Sequence, residues 1–232
     1  VPLKISLNKR CSSAASGFFR GAVMHESVKI LDRIIITPPA RAIYQRLGFR
    51  KKATQISDAA RRETDRHIEE ASSLITLSGL YLRLAVLSND GQNIVLAGDV
   101  SFHSAKLASF LGGCREALLM GATAGNAIMD AIGEKTLRQE MTAAVVYDAT
   151  ASEMADAALD WITGFINRQI RREGKSLLER RFSAGYGDFT LENQKLIYDK
   201  LRMGDIGVSL SERFLLIPEK SVTAVSGIRL TL

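Results

Sequence analysis

A single α+β domain with a twisted, largely antiparallel central sheet flanked by helices is the fold class this sequence predicts. Three observations carry that expectation. Residues 80–87 and 93–97 are β-like runs separated by Asn89-Asp90-Gly91, a strong hairpin signal. Residues 214–217 and 222–230 form two further β-like runs joined by Pro218-Glu219-Lys220. Long segments with helical apolar spacing lie between them, and no repeat, low-complexity tract or linker divides the chain.

The elements follow in order. Residues 1–23 lack acidic residues and are rich in small residues and Arg. They read either as a targeting-like extension or as sequence upstream of a start at Met24, and carry no assigned function. The domain is expected over residues 24–232. Residues 26–36 read as a strand stopped by Pro38-Pro39, and 41–49 as a short helix closing near Gly48. From 54 to 75, Ile56, Ala59, Ala60, Ile68, Ala71, Leu74 and Ile75 recur at helical spacing opposite a charged, solvated face. Residues 101–111 read as a helix ended by Gly112-Gly113, and 116–121 as a short buried strand. The turn at 123–126 leads into a helix over 127–132. Its Gly121/Gly125 spacing reports close packing and supplies neither a dinucleotide fingerprint nor a P-loop.

Two helices are expected next, over 136–147 and 152–173, with Gly174 as C-cap. Met154, Ala158, Trp161, Ile162, Phe165 and Ile170 form the buried stripe of the second, which places Trp161 in the core. Asp148 and Glu153 fall at its expected N-terminus, where carboxylates oppose the helix dipole. A strand over 176–181 follows. Thr190 is placed to cap a helix over 191–201, before a turn at Met203-Gly204-Asp205.

Composition narrows the function classes. The 232 residues carry a net charge of +6, which favours acidic partners. The cations are scattered, and no zinc-finger, helix-turn-helix or RNA-binding signature accompanies them, so nucleic-acid binding is not expected. Cys11 and Cys114 form no CxxC pair, which fits a reducing, cytoplasmic setting. His25, His67 and His103 are too dispersed to suggest a metal site. No apolar run is long enough to span a bilayer.

The chemistry concentrates between Arg180 and Gly187, which read Arg-Arg-Phe-Ser-Ala-Gly-Tyr-Gly. Glycine lets a backbone approach a ligand closely. Arginine presents a planar fork matched to a carboxylate, and Tyr186 a flat apolar face with a hydroxyl tip. The loop suits a small zwitterionic ligand with an aromatic group; equally, it reads as a Gly-rich surface turn between regular elements.

Three stretches together resemble the activation domain of vitamin B12-dependent methionine synthase. They are the Arg-x-x-x-Gly-Tyr element from Arg181 to Tyr186, the C-terminal stretch with Pro218 before Ser221-Val222, and the middle stretch around Gly125 and Asp148. The resemblance covers residues 41–228 and includes the stand-alone versions of that domain. It implies a domain that binds S-adenosylmethionine and sits over the corrin of a partner. There it supports reductive methylation of cob(II)alamin to methylcobalamin, with flavodoxin or ferredoxin as electron donor. By the same resemblance Arg181 pairs with the methionyl carboxylate. The backbone through Ser183, Ala184 and Gly185 bonds the ligand, and Tyr186 faces the corrin and the methyl donor. Such a transfer needs alignment and no protein nucleophile.

The sequence also departs from the family. Thr223-Ala224-Val225-Ser226 stand where the long form has a Tyr, and Pro38-Pro39 where it has a ligand-holding Asp. Asp65-Arg66-His67 lacks the Gly of a cobalamin motif, so the cobalamin is expected on a separate methionine synthase core that lacks an activation domain. The alternatives are a non-catalytic corrinoid-protein chaperone or regulator that has lost S-adenosylmethionine binding, or a methyltransferase component for another corrinoid protein.

Overall fold

Antiparallel pairing dominates the fold. The computed structural model describes residues 27–50 and 55–231. The expectations for residues 1–23, for a strand start at 26 and for a helix start at 54 lie outside the described residues. The chain opens with β1 (Lys29–Leu31), α1 (Ala40–Arg46) and α2 (Asp58–Leu74), followed by β2 (Ser78–Asn89) and β3 (Asn93–Leu96). Then come β4 (Val100–His103), α3 (Ala105–Phe110), β5 (Glu116–Thr123), α4 (Ala127–Leu137) and α5 (Met141–Ile170). The last part holds β6 (Lys175–Leu177), α6 (Asn193–Leu201), β7 (Ser209–Leu210), β8 (Leu216–Ile217) and β9 (Ser221–Leu230).

Seven strands make one sheet in the order β4-β3-β2-β5-β9-β6, with β1 beside the start of β2, and every pairing is antiparallel. β7 and β8 form a separate small hairpin. Alternation along the central strands divides the side chains between two cores. Tyr81, Leu118, Met120, Ala224 and Ile228 pack against α5 on one face. Leu80, Leu82, Leu119 and Val225 meet α3 and α6 on the other, with Phe102, Phe189 and Ile197. The close packing read from Gly121 is a real constraint: a Cβ there would lie 2.4 Å from the Met203 sulfur. Among the described residues no helix is long and apolar enough to cross a membrane.

Several expected elements differ. The helix expected over 101–111 is β4 followed by α3. Val100 and Phe102 are buried and alternate with exposed Ser101 and His103, a period of two, and the Ser104 hydroxyl caps α3 by accepting from Leu107 N at 3.0 Å. The two helices expected over 136–147 and 152–173 are one, α5, because neither Pro nor Gly interrupts 141–163 and Tyr147, Ala151, Met154, Ala158 and Ile162 sustain one buried stripe. Asp148 and Glu153 therefore lie mid-helix and cap nothing. Asp148 holds Lys220 Nζ at 2.6 Å, and Glu153 holds Arg46 Nε at 2.5 Å. Trp161 is half-buried, stacked on Phe165 at 5.3 Å. The strand expected over 176–181 is shorter, as is the first strand, and α6 begins at Asn193 instead of after a Thr190 cap.

A charge network fastens the C-terminal end of α5 to the sheet. The Arg83 guanidinium donates to Glu116 at 2.7 and 2.9 Å and to Glu173 at 2.8 Å. Lys175 reaches both carboxylates, at 2.6 and 2.7 Å. Hydrogen bonds from Arg83, then from Lys175, hold the Glu173 carboxyl down at about 2 against an ordinary 4.5, opposed by partial burial. A depressed carboxylate contributes stability above its unfolded pKa and loses it as pH falls towards the folded value. Glu173→Gln should cost about 1 kcal/mol or less at pH 7, given its exposure. The difference from wild type should shrink between pH 4.5 and 2, as read from urea midpoints across that range.

Candidate functional site

β6 pairs only with Ile228–Leu230 of β9, so the Ser221–Ser226 half of β9 has one edge without a regular strand partner. The Arg180–Gly187 loop partly fills that edge. Phe182 exchanges two backbone hydrogen bonds with Val225, at 2.7 and 2.8 Å, and the Ser183 hydroxyl donates to the Thr223 carbonyl at 2.8 Å. Past Ser183 the chain turns on Gly185, whose φ of +92° favours glycine, and Gly185 N donates to Phe189 O at 2.7 Å.

The far end of the loop is equally fixed. Phe189 is fully buried, edge-on to Phe102 at 5.2 Å and beside Phe182 at 5.9 Å. Asp188 accepts from the Ser104 hydroxyl and from Ala105 N, both at 2.7 Å, at the start of α3. These bonds, the Ser104 hydroxyl first, hold its carboxyl below the usual range. Between two anchored ends, Tyr186 stands out 68% exposed.

The loop forms one wall of a cleft of about 890 Å³. Arg181, Ser183, Ala184 and Tyr186 line it; Gly185 shapes the turn behind them without lining it. Phe214, Leu215 and Leu216, leading into β8, form the facing wall, and Glu219 of the β8–β9 turn also borders it. α5 contributes Asp156 and Leu159, and the segment around the start of α6 contributes Leu191 and Gln194. α5 and α6 cover opposite faces of the sheet, so the cleft wraps the open edge of β9 from one face to the other.

Its two ends differ chemically. On the α5 side Arg181 is ion-paired with Asp160, while Arg180 is exposed. Asp156 lies near this pair; burial pushes its carboxyl above the ordinary value, and the Arg181 charge opposes that rise. On the α6 side the polar groups are uncharged: Gln194 Nε2 lies 2.8 Å from Thr223 Oγ1. Sequence reasoning found the loop and missed both of these floors. Asp156 and Asp160 carried a faint signal, two carboxylates one helical turn apart beside the apolar stripe. Gln194 carried none, because a single amide in an amphipathic helix reads as solvated surface.

The turn on Gly185 yields a direct test. A Cβ there would lie an ordinary 3.6 Å from Leu191 Cδ1, so space is available and the backbone conformation alone is penalised. Gly185→Ala should destabilise the protein by about 1–2 kcal/mol, measured by denaturant unfolding. An unchanged midpoint would show that this turn is not held in its left-handed conformation.

No protein-family model and no curated protein matches this sequence. Solved structures do match. One is the MetH reactivation domain bound to AdoHcy, 13% identical to this chain, with a TM-score of 0.66 over 88% of this chain and 79% of that one. At this identity the likeness speaks for the fold: the chain has the α+β architecture of a methionine synthase reactivation domain.

Proposed function

We propose that this chain binds S-adenosylmethionine in the β9-edge cleft. It would act in trans, in the cytoplasm, as the reactivation module of a cobalamin-dependent methionine synthase core lacking such a domain. The observation that carries the reading is the grouping of Arg181, the Ser183–Ala184 backbone and Tyr186 on one wall of a cleft, in a fold whose solved counterpart was bound to AdoHcy.

The cleft's chemistry fits such a ligand. Arg181 would meet the methionyl carboxylate by exchanging it for Asp160, which is largely exposed and can swing into water. Asp156, when ionised, would face the ligand's positive ammonium and sulfonium groups. Tyr186, with exposed Leu215 and Ile217 nearby on the other wall's chain, leaves an apolar rim suited to a flat macrocycle presented by a partner. The partner's corrinoid would supply the methyl-accepting chemistry, and flavodoxin or ferredoxin the electron. This chain's part would be to hold and orient the methyl donor.

A second reading has one observation in its favour. The Arg181 charge is already answered by Asp160, as in a chaperone or regulator of a corrinoid protein that no longer binds the methyl donor.

Calorimetric titration separates the two. Wild type should bind S-adenosylmethionine saturably, and Arg181→Ala should weaken it roughly 10- to 100-fold, the range for a hydrogen bond to a charged group. No binding by wild type, alone or with a cobalamin protein present, would leave the second reading standing. Asp156 adds a pH test. Because its pKa is raised, its negative charge is present only above that raised value, so affinity for the cationic donor should rise with pH through its titration. Asp156→Asn should flatten that rise and weaken S-adenosylmethionine several-fold more than the uncharged thioether AdoHcy.

A further inference from the structure

The β7–β8 hairpin turns through Glu212, Arg213 and Phe214. Ser211 N donates to Leu215 O at 2.9 Å, and Phe214 N donates to Ser211 O at 3.0 Å. The Ser211 hydroxyl also accepts from Leu215 N at 3.0 Å. A three-residue connection of this kind is a tight turn followed by one residue in the left-handed region, a place that glycine normally fills. Here Phe214 fills it, with a φ of +60°. Asp99, Gln139 and Arg202 are the other non-glycine residues with positive φ among the described residues, and each is polar. A bulky side chain in that region is penalised through its own Cβ.

Packing within the protein does not account for the ring. Among the described residues Phe214 belongs to no core cluster and makes no ring contact. Phe102, Phe110, Phe165, Phe182 and Phe189 each pack on at least one other ring. The hairpin itself is well anchored. Leu216, two residues on, packs against the α6-side core, and the Tyr198 hydroxyl of α6 donates to Val208 O at 3.0 Å, just before β7. Phe214 is therefore held in place, half-buried, where it borders the cleft on the wall facing Arg181, Ser183 and Tyr186. A strained residue that lines a cleft and supports no core points to what the cleft holds.

We infer that Phe214 is a ligand-binding residue of this cleft, its ring lying against the bound adenosyl ligand from the hairpin wall, opposite Arg181 and Tyr186. This rests on the adenosyl-ligand reading above and adds to it a contact from the wall that carries none of the loop's polar chemistry. The ring takes ligand surface out of water on that side and holds the ligand against the polar wall.

The test pairs urea unfolding with titration of the full chain by AdoHcy and by S-adenosylmethionine. Phe214→Gly removes the ring and suits the backbone. Its midpoint without ligand should equal or exceed that of wild type. It should nevertheless bind AdoHcy about tenfold more weakly, the yield of covering about half of a phenylalanine side chain. Phe214→Tyr keeps the ring face and should bind AdoHcy within about twofold of wild type. Wild-type affinity in Phe214→Gly overturns the assignment, because the ring then touches no ligand. A clearly lower midpoint, or failure of that variant to fold, overturns it as well, because the ring then serves the fold. So does a loss in Phe214→Tyr as large as in Phe214→Gly. Failure of wild type to bind either compound is a different outcome, seen without any variant: it removes the adenosyl-ligand reading, and this inference with it.

Discussion

The pairing of β9 with β5 is the interaction on which the rest of the molecule depends. Eight consecutive residue pairs, from Glu116↔Ile228 to Thr123↔Ser221, place β9 beside β5, next to the edge of the sheet. Both faces of β9 are thereby committed, Ala224 and Ile228 to the α5 core and Val225 to the α6 core. Only its far edge remains, and a three-residue partner, β6, covers just one end of it. An unpaired strand edge is a hazard that folded proteins cover or blunt. Here a loop covers it incompletely, and the remainder opens into the cleft. The site is a consequence of how the sheet ends.

α5 supplies what the sheet edge lacks. A helix of 30 residues runs about 45 Å, long enough to cross the sheet and present different chemistry at each end. Asp148 and Ser152 on it hold the β8–β9 turn through Lys220, and the turn just after it joins the Arg83 network through Glu173. Asp156 and Asp160 lie between those two fastenings. The acidic side of the cleft is therefore carried by a rigid element, while the loop opposite supplies the exposed Tyr186. The cleft thus has one stiff wall and one anchored but projecting wall.

Much of this was legible in the sequence, and the failures have physical causes. The hairpin at Asn89-Asp90-Gly91, the α+β class and the loop from Arg181 to Tyr186 were readable because turn chemistry and short motifs are local. The break expected near Asp148 was an error of punctuation: polar residues at 148, 152 and 153 resemble a cap, but each has a distant partner or an exposed position that lets the helix continue. β4 was misread because four alternating residues running directly into a helix give too short a period to separate from it. Gln194 left no sequence signal, and Asp156 only a faint one beside Asp160. Their place at the cleft arises from an edge left open by strand pairings between segments far apart in sequence.

The position of β9 also bears on how the molecule comes into being. Strands β2 to β4 can form a meander as they are made, and β5 can return beside β2, but the edge of β5 that β9 will occupy stays bare, lined by residues destined to be buried. Only after residues 221–230 have left the ribosome can the two cores close, and the cleft beside β9 forms in that same step. Before that step the cleft does not exist. What exists instead is an exposed apolar strand awaiting residues 221–230, the stage at which a growing chain has most need of shielding from its neighbours.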